Sequence, residues 1–253
     1  MSSRKLRAFI REIQYENRNP TNDEVLKLLE DRSTNPEIIL KPGTKVYRSR
    51  IINDEKAINT QTGFFGYDED NSFVPPVKLT KDMRANYRYI PYLYCASHPY
   101  TSLVEVRPRL GCRVSIATIA IDSEIGLLDF TIQRKPVGMS PPKQNLFADL
   151  SELYSKPVTS SDDILDYIPT QYIAEYVKKL GYDGIAFTSS LTPEINCTNP
   201  DQYNIVIFHY DKCHAEKSNV FSIDNIYFDC RQIDTDSTKM RVKGYIEENL
   251  ENV

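Results

Sequence analysis

Residues 84–105 read Arg-Ala-Asn-Tyr-Arg-Tyr-Ile-Pro-Tyr-Leu-Tyr-Cys-Ala-Ser-His-Pro-Tyr-Thr-Ser-Leu-Val-Glu, from Arg84 through Tyr94 to Glu105. Pro91 to Ala96 is an apolar and aromatic run of strand length. Ser97 stands where a helix cap belongs, Pro99 suits a first helical turn, and Thr101 to Val106 continues the helix. A strand thus gives way to a short helix with no glycine-rich loop between them. Downstream, Arg113 to Ile121 and Ile125 to Phe130 predict strands separated by the turn residues Asp122 and Ser123. Helices follow near Leu146 to Tyr154 and from Thr170 to Leu180, the second ended by Gly181 as a left-handed cap. Tyr182 to Thr188, Tyr203 to Tyr210 and Val220 to Asp229 complete a strand-rich second half. Neither G-x-G-x-x-G nor G-x-x-x-x-G-K-S/T occurs, and the regular βα units of a doubly wound sheet are missing, so the sequence predicts an α+β fold.

Upstream, Lys41-Pro42-Gly43 turns into Thr44-Lys45-Val46-Tyr47-Arg48, an alternating strand that opens the main domain. From Ile51 to Asp82 the pattern weakens around Gly63, Gly66 and Pro75-Pro76, which predicts a long loop of the kind that often serves as a lid. Before Lys41, Leu6, Ile10 and Ile13 share one helical face, and Asn19-Pro20-Thr21 breaks the run. Asn22 to Asp31 then places Val25, Leu28 and Leu29 on one side, before Asn35-Pro36 stops the helix. Residues 1–43 therefore read as a helical appendage and residues 44–253 as the main domain. So short a helical pair must pack on the main domain or on another chain to be stable.

The 253 residues are 40% apolar and 26% charged, an ordinary globular composition without a stretch apolar enough to span a bilayer. Near the start, Leu6, Phe9 and Ile10 are interleaved with charges, unlike a secretory signal, so a cytoplasmic location is expected. Thirty-one basic against thirty-five acidic side chains give a net charge of −4, which offers no global grip on nucleic acid. Cys95, Cys112, Cys197, Cys213 and Cys230 are scattered without a C-x-x-C pair, against both a disulfide framework and a zinc ribbon. Cys213-His214 lacks a second half at metal-site spacing from His98 or His209, and no metal is expected. Seventeen tyrosines and no tryptophan supply rings that suit flat ligands as well as core margins.

The stretch from Arg84 to Glu105 resembles the central motif of the RES-domain family, named for its Arg, Glu and Ser. It has an Arg-x-Asn (Arg84, Asn86), a Leu-Tyr-x-Ala strand ending at Ala96, and a helix whose Glu105 lies eleven positions after Tyr94. Tyr47-Arg48 in the first strand agrees too, as does Gly181-Tyr-Asp-Gly-Ile-Ala-Phe-Thr-Ser189 followed by Asn204-Ile-Val-Ile-Phe208. Glu105-Val-Arg107-Pro108 and Thr170-Gln171 with Glu175 look like larger members of the family. Met83 and Tyr89 depart from it, standing where glycines are usual, and Ser190 beside Ser189 leaves the serine assignment open by one position. The resemblance implies an ADP-ribosyltransferase-like fold, a split, mixed or antiparallel sheet core with flanking helices and a cleft for NAD⁺. It also implies a toxin or defence-type effector, restrained by a partner antitoxin or another regulatory protein.

The residue types suit that chemistry. Breaking an N-glycosidic bond develops positive charge on the ribose, which one carboxylate, Glu105, can stabilise. Nicotinamide leaves neutral from a pyridinium, so a second carboxyl acid is not required. Arg84 and Arg48 present the planar fork that suits a diphosphate; Arg50 shares the face of Arg48 and is the fallback. Tyr94 can stack on nicotinamide or reach a ribose oxygen, and Ser189 can hydrogen-bond the amide or ribose; no Ser-His-Asp arrangement activates it. The expected site therefore has Glu105, Arg84, Tyr94 and Ser189 at the chemistry and Arg48, Tyr47, Asn86 and Asn204 in binding. No cofactor is expected, NAD⁺ being the substrate. The leading expectation is an NAD⁺ glycohydrolase or phosphorylase. Transfer of ADP-ribose to a protein uses the same cleft, and an inert interaction module, docking a partner through its N-terminal helices, is the alternative of another class. Nuclease chemistry has no carboxylate cluster to support it.

Overall fold

The computed structural model describes residues 4–21, 24–54, 58, 63–131, 136–156, 164–191, 202–226, 229–231 and 241–243. Their fold is α+β, with eight strands in one mixed sheet. The strands are β1 (Glu37–Leu40), β2 (Lys45–Ile51), β3 (Leu93–Ala96), β4 (Arg113–Ile121), β5 (Ile125–Asp129), β6 (Gly184–Phe187), β7 (Asn204–Ile207) and β8 (Cys213–Ser222). They lie in the order β1-β5-β6-β7-β3-β2-β4-β8. Every pair is antiparallel except β5 with β6, whose connection carries the helices α5 (Pro141–Ser155) and α6 (Ile164–Lys179). A separate pair of short strands, β9 (Asp229–Arg231) and β10 (Arg241–Lys243), is antiparallel.

Strand alternation divides the core into two faces. Leu93 and Cys95 of β3, and Ile205 and Ile207 of β7, join a cluster with Val46, Ile119 and Leu127, covered by Phe64, Phe73, Val74 and Tyr210. Tyr94, Val206, Ile185 and Phe187 belong to the opposite face, where α5 and α6 pack through Phe147, Leu150, Ile173 and Val177. α4 (Pro99–Glu105) lies instead over β2, with Leu103 and Val106 against Tyr47. The space between α4 and the α5–α6 layer is left as a cleft, floored by β2, β3 and β7.

The N-terminal helices are part of this core. α1 (Arg4–Arg11), continued by a π-helical turn over Glu12–Glu16, and α2 (Glu24–Glu30) bury Leu6, Phe9, Ile13, Val25, Leu26 and Leu29 in the same cluster as Phe130 and Phe147. β1, just after them, is an edge strand paired with β5 over Glu37 to Leu40. The expected boundary between residues 43 and 44 thus runs between two strands of one sheet. Pro169 lies inside α6 and has no N–H for the carbonyl of Leu165 one turn earlier. Gln14 Nε2 donates to that oxygen at 2.7 Å.

Several elements differ from the sequence expectation. Helix α4 is capped by His98, whose Nδ1 accepts from the Tyr100 amide at 3.2 Å. Ser97, the expected cap, instead exchanges bonds with Tyr203 across to the start of β7. β8 begins at Cys213, seven residues before the strand expected from Val220, because His214, Glu216 and Lys217 face solvent on an edge strand and break the apolar pattern. The segment after β2 holds a short helix, α3 (Glu69–Ser72), and Phe64 bridges to Ser218 on the β8 edge. Tyr89, at a position where glycine was expected, has φ +69°, a left-handed conformation costing about 1–2 kcal/mol for a residue with a Cβ. Gly184 has no alternative, since a Cβ there would lie 2.3 Å from Val206 O on β7.

Candidate active site

Glu105 is the last residue of α4, which stops there because Arg107 turns left-handed at φ +48° and Pro108 follows. The helix is fixed to the sheet by Ser102, whose hydroxyl lies 2.5 Å from that of Ser49 on β2. Glu105 Oε1 accepts two hydrogen bonds, from Ser189 Oγ at 2.6 Å and from Asn204 Nδ2 at 2.7 Å. Ser189 follows β6 and Asn204 begins β7, so the two neighbouring strands deliver both donors to one oxygen. Among the described residues both donors reach Oε1 and none reaches Oε2.

The cleft beside Glu105 measures about 510 Å³ and includes Tyr47, Arg48, Arg84, Tyr94 and Asn204 in its walls. Arg84 sits at the tip of a tight turn in which Met83 and Asn86 pair through their backbones. Its guanidinium donates to Leu153 O at 2.8 Å and to Lys156 O, carbonyls at the C-terminal end of α5, where a cation also complements the helix dipole. Arg48 is half-buried and donates to Ser72 O at 3.4 Å; burial pushes its guanidinium down to about 10, still protonated at neutral pH. Arg50, the fallback, turns to Asn71 O and the Tyr67 ring and does not line the cleft.

The Tyr94 hydroxyl is fully engaged, donating to Asn86 Oδ1 at 2.7 Å and accepting from the Ala85 amide at 3.0 Å. Burial pushes its phenol further up from the ordinary range, so in this state it acts as a wall and a tether for the Arg84 turn rather than as an acid or base. Asn86 is buried and also ties Lys81 O and Tyr87 O through Nδ2. The structure therefore gathers Glu105, Ser189 and Asn204 in direct contact, and Arg84, Asn86 and Tyr94 in a second contact group. Ser189 is buried against Glu105, whereas its neighbour Ser190 is exposed at the cleft wall. Of the two serines, Ser189 is the one in contact with Glu105.

Further wall residues escaped the sequence reading. Tyr154, Ser155 and Lys156 come from the end of α5, and Tyr167 from α6. Their helices pack by apolar periodicity alone, which gives no hint of a polar end. Ser49 and Ser102 carried no signal beyond lying on the faces of β2 and α4. The three histidines have other partners: His98 caps α4, His209 pairs with Asp183, and His214 with Asp122. Among the described residues no group of three or more His, Cys, Asp or Glu is assembled for a metal ion. Cys95 and Cys213 are buried free thiols, Cys213 pushed up to about 12 by burial, and Cys112 is free too; Cys197 and the side chain of Cys230 lie outside the described residues.

The RES domain model matches residues 60–228, more than half of the chain. The chain belongs to the RES-domain family. A chain of the crystal structure of the M. tuberculosis MbcT-MbcA toxin-antitoxin complex is similar to this RES domain at 13% identity and a TM-score of 0.45, over 79% of this chain and 93% of that one. Among curated proteins none matches. No described helix of this RES domain is long and apolar enough to cross a membrane.

Proposed function

We propose that this RES domain consumes NAD⁺ by cleaving the nicotinamide–ribose bond, as a glycohydrolase or phosphorylase, and serves as a toxin or defence-type effector in the cytoplasm. The observation that carries the reading is Glu105, whose carboxylate is oriented by Ser189 and Asn204 at a cleft that also holds Arg48, Arg84 and Arg107 and the Tyr47 and Tyr94 rings. A fixed carboxylate stabilises the oxocarbenium-like ribose as nicotinamide departs with the bonding electron pair and becomes neutral. Water then attacks the anomeric carbon and gives up a proton to solvent, or in the phosphorolytic case a phosphate oxygen attacks it instead. Arg48 and Arg84 supply cationic forks for the diphosphate, and NAD⁺ is the substrate rather than a resident cofactor. An antitoxin or other regulatory protein is the proposed macromolecular partner, with neither nucleic acid nor membrane involved.

Incubating the purified protein with NAD⁺ and identifying the products by mass tests the reading. Free ADP-ribose marks hydrolysis, ADP-ribose-1″-phosphate marks phosphorolysis, and a protein heavier by ADP-ribose marks transfer. Intact NAD⁺ after prolonged incubation, with no bound nucleotide, sinks it.

A further inference from the structure

Gln171 of α6 is fully buried and does not line the cleft, yet its side chain ends on the turn that carries Arg84. Nε2 donates to both Met83 O and Asn86 O, each at 2.9 Å. These are the two residues whose backbones close the turn, Met83 N to Asn86 O at 3.0 Å and Asn86 N to Met83 O at 3.4 Å. One amide nitrogen thus ties both base carbonyls, while the Tyr94 hydroxyl holds the tip through the Ala85 amide. Arg84 lies between these two fixings.

We infer that Gln171 is a positioning residue, which acts through the Met83–Asn86 turn to hold the Arg84 guanidinium at the cleft wall; its functional consequence rests on the NAD⁺ reading above. Loss of the Gln171 donors leaves the part-buried Met83 carbonyl and the buried Asn86 carbonyl with only the amides across the turn, and frees its base to twist. Arg84 then keeps its charge and its bonds to Leu153 O and Lys156 O, but the backbone beneath it is no longer fixed, and direction is what a bidentate contact with a diphosphate needs. The N-terminal residues feed the same device. Gln14 binds Leu165 O, and the Tyr154 hydroxyl binds Thr170 O at 2.7 Å, so the stretch of α6 around Pro169 is held on both sides immediately before Gln171.

The variant is Gln171→Met, which preserves length and burial but has no donor; Gln171→Leu, also apolar and without a donor, replaces it if the methionine form does not fold. Hydrogen exchange of the Met83 and Asn86 amides is measured first, because it reads the turn without any ligand. Faster exchange confined to this turn is expected, and unchanged protection overturns the inference. Binding of NAD⁺ is then compared in a double-mutant cycle. Gln171→Met should weaken binding about tenfold with Arg84 present and less than about twofold in an Arg84→Lys background. Equal losses in the two backgrounds overturn the inference, because a merely structural role does not depend on Arg84. If the unaltered protein binds no NAD⁺, the functional reading fails while the exchange measurement still decides the role of Gln171.

Discussion

Two charged groups of the cleft, Glu105 and Arg84, are held in opposite ways. Glu105 is oriented by side chains, Ser189 and Asn204, on strands far from it in sequence. Arg84 is oriented by main-chain carbonyls, Leu153 O and Lys156 O at its guanidinium and Met83 O and Asn86 O beneath its turn. A side-chain donor can be deleted by one substitution, whereas a carbonyl survives any substitution at its own residue. The acidic end is therefore the more fragile under mutation, and the cationic end is exposed mainly through Arg84 itself and through Gln171.

The largest effect is expected at Glu105. Glu105→Gln should leave the melting temperature close to that of the unaltered protein and lower NAD⁺ turnover by on the order of 10²-fold or more, the scale of losing one transition-state stabiliser. Undiminished turnover in a folded variant would remove Glu105 from the mechanism. Ser189→Ala and Asn204→Ala each delete one bond to the carboxylate, worth about 1.5–3 kcal/mol when an ionised partner is involved, so roughly tenfold or more in turnover should be lost in each. If either variant turns over normally while the other does not, one donor is enough to orient the carboxylate.

Arg84→Lys should weaken NAD⁺ binding, measured in a Glu105→Gln background to avoid turnover, because an ammonium keeps charge without the planar fork. Leu153→Met, by contrast, should leave binding unchanged, since Arg84 uses the carbonyl of that residue and not its side chain. A large loss in Leu153→Met would break the comparison. Arg48 sharpens it with pH. A lowered pKa means the cation is present below about 10 and is lost above it, so its share of NAD⁺ binding should stay level through neutral pH and decline as the pH passes that value. Smallest is Gln14→Leu, which removes the bond from Gln14 Nε2 to Leu165 O and should cost about 1 kcal/mol of stability with a modest fall in melting temperature.

Residues at a fixed spacing from a strong local pattern were the legible ones. Tyr94, Glu105 and the Arg84 turn share a strand, a short helix and the loop before them, so their order is readable in a single stretch. The α+β class followed from the alternation around it. What stayed hidden depends on sheet order. That Asn204 donates to Glu105 as well as lining the cleft is a result of β7 lying beside both β3 and β6, and no periodicity reports which strands are neighbours. β1 was missed because Glu37-Ile-Ile-Leu40 is too short to alternate convincingly. The N-terminal helices were legible as amphipathic, but their partners Phe130, Phe147 and Ile173 are separated from them by a hundred residues or more.

The place of β7 between β6 and β3 also sets a timetable for synthesis. A ribosome releases Glu105 early, with β3 and α4 already able to form, but the donors at Ser189 and Asn204 and the strand that fills the floor arrive only near residue 207. Until then the sheet has a gap between β6 and β3, and the carboxylate lacks Asn204. A nascent chain or a fragment ending before β7 therefore has neither a complete floor to the cleft nor the full pair of donors at Glu105.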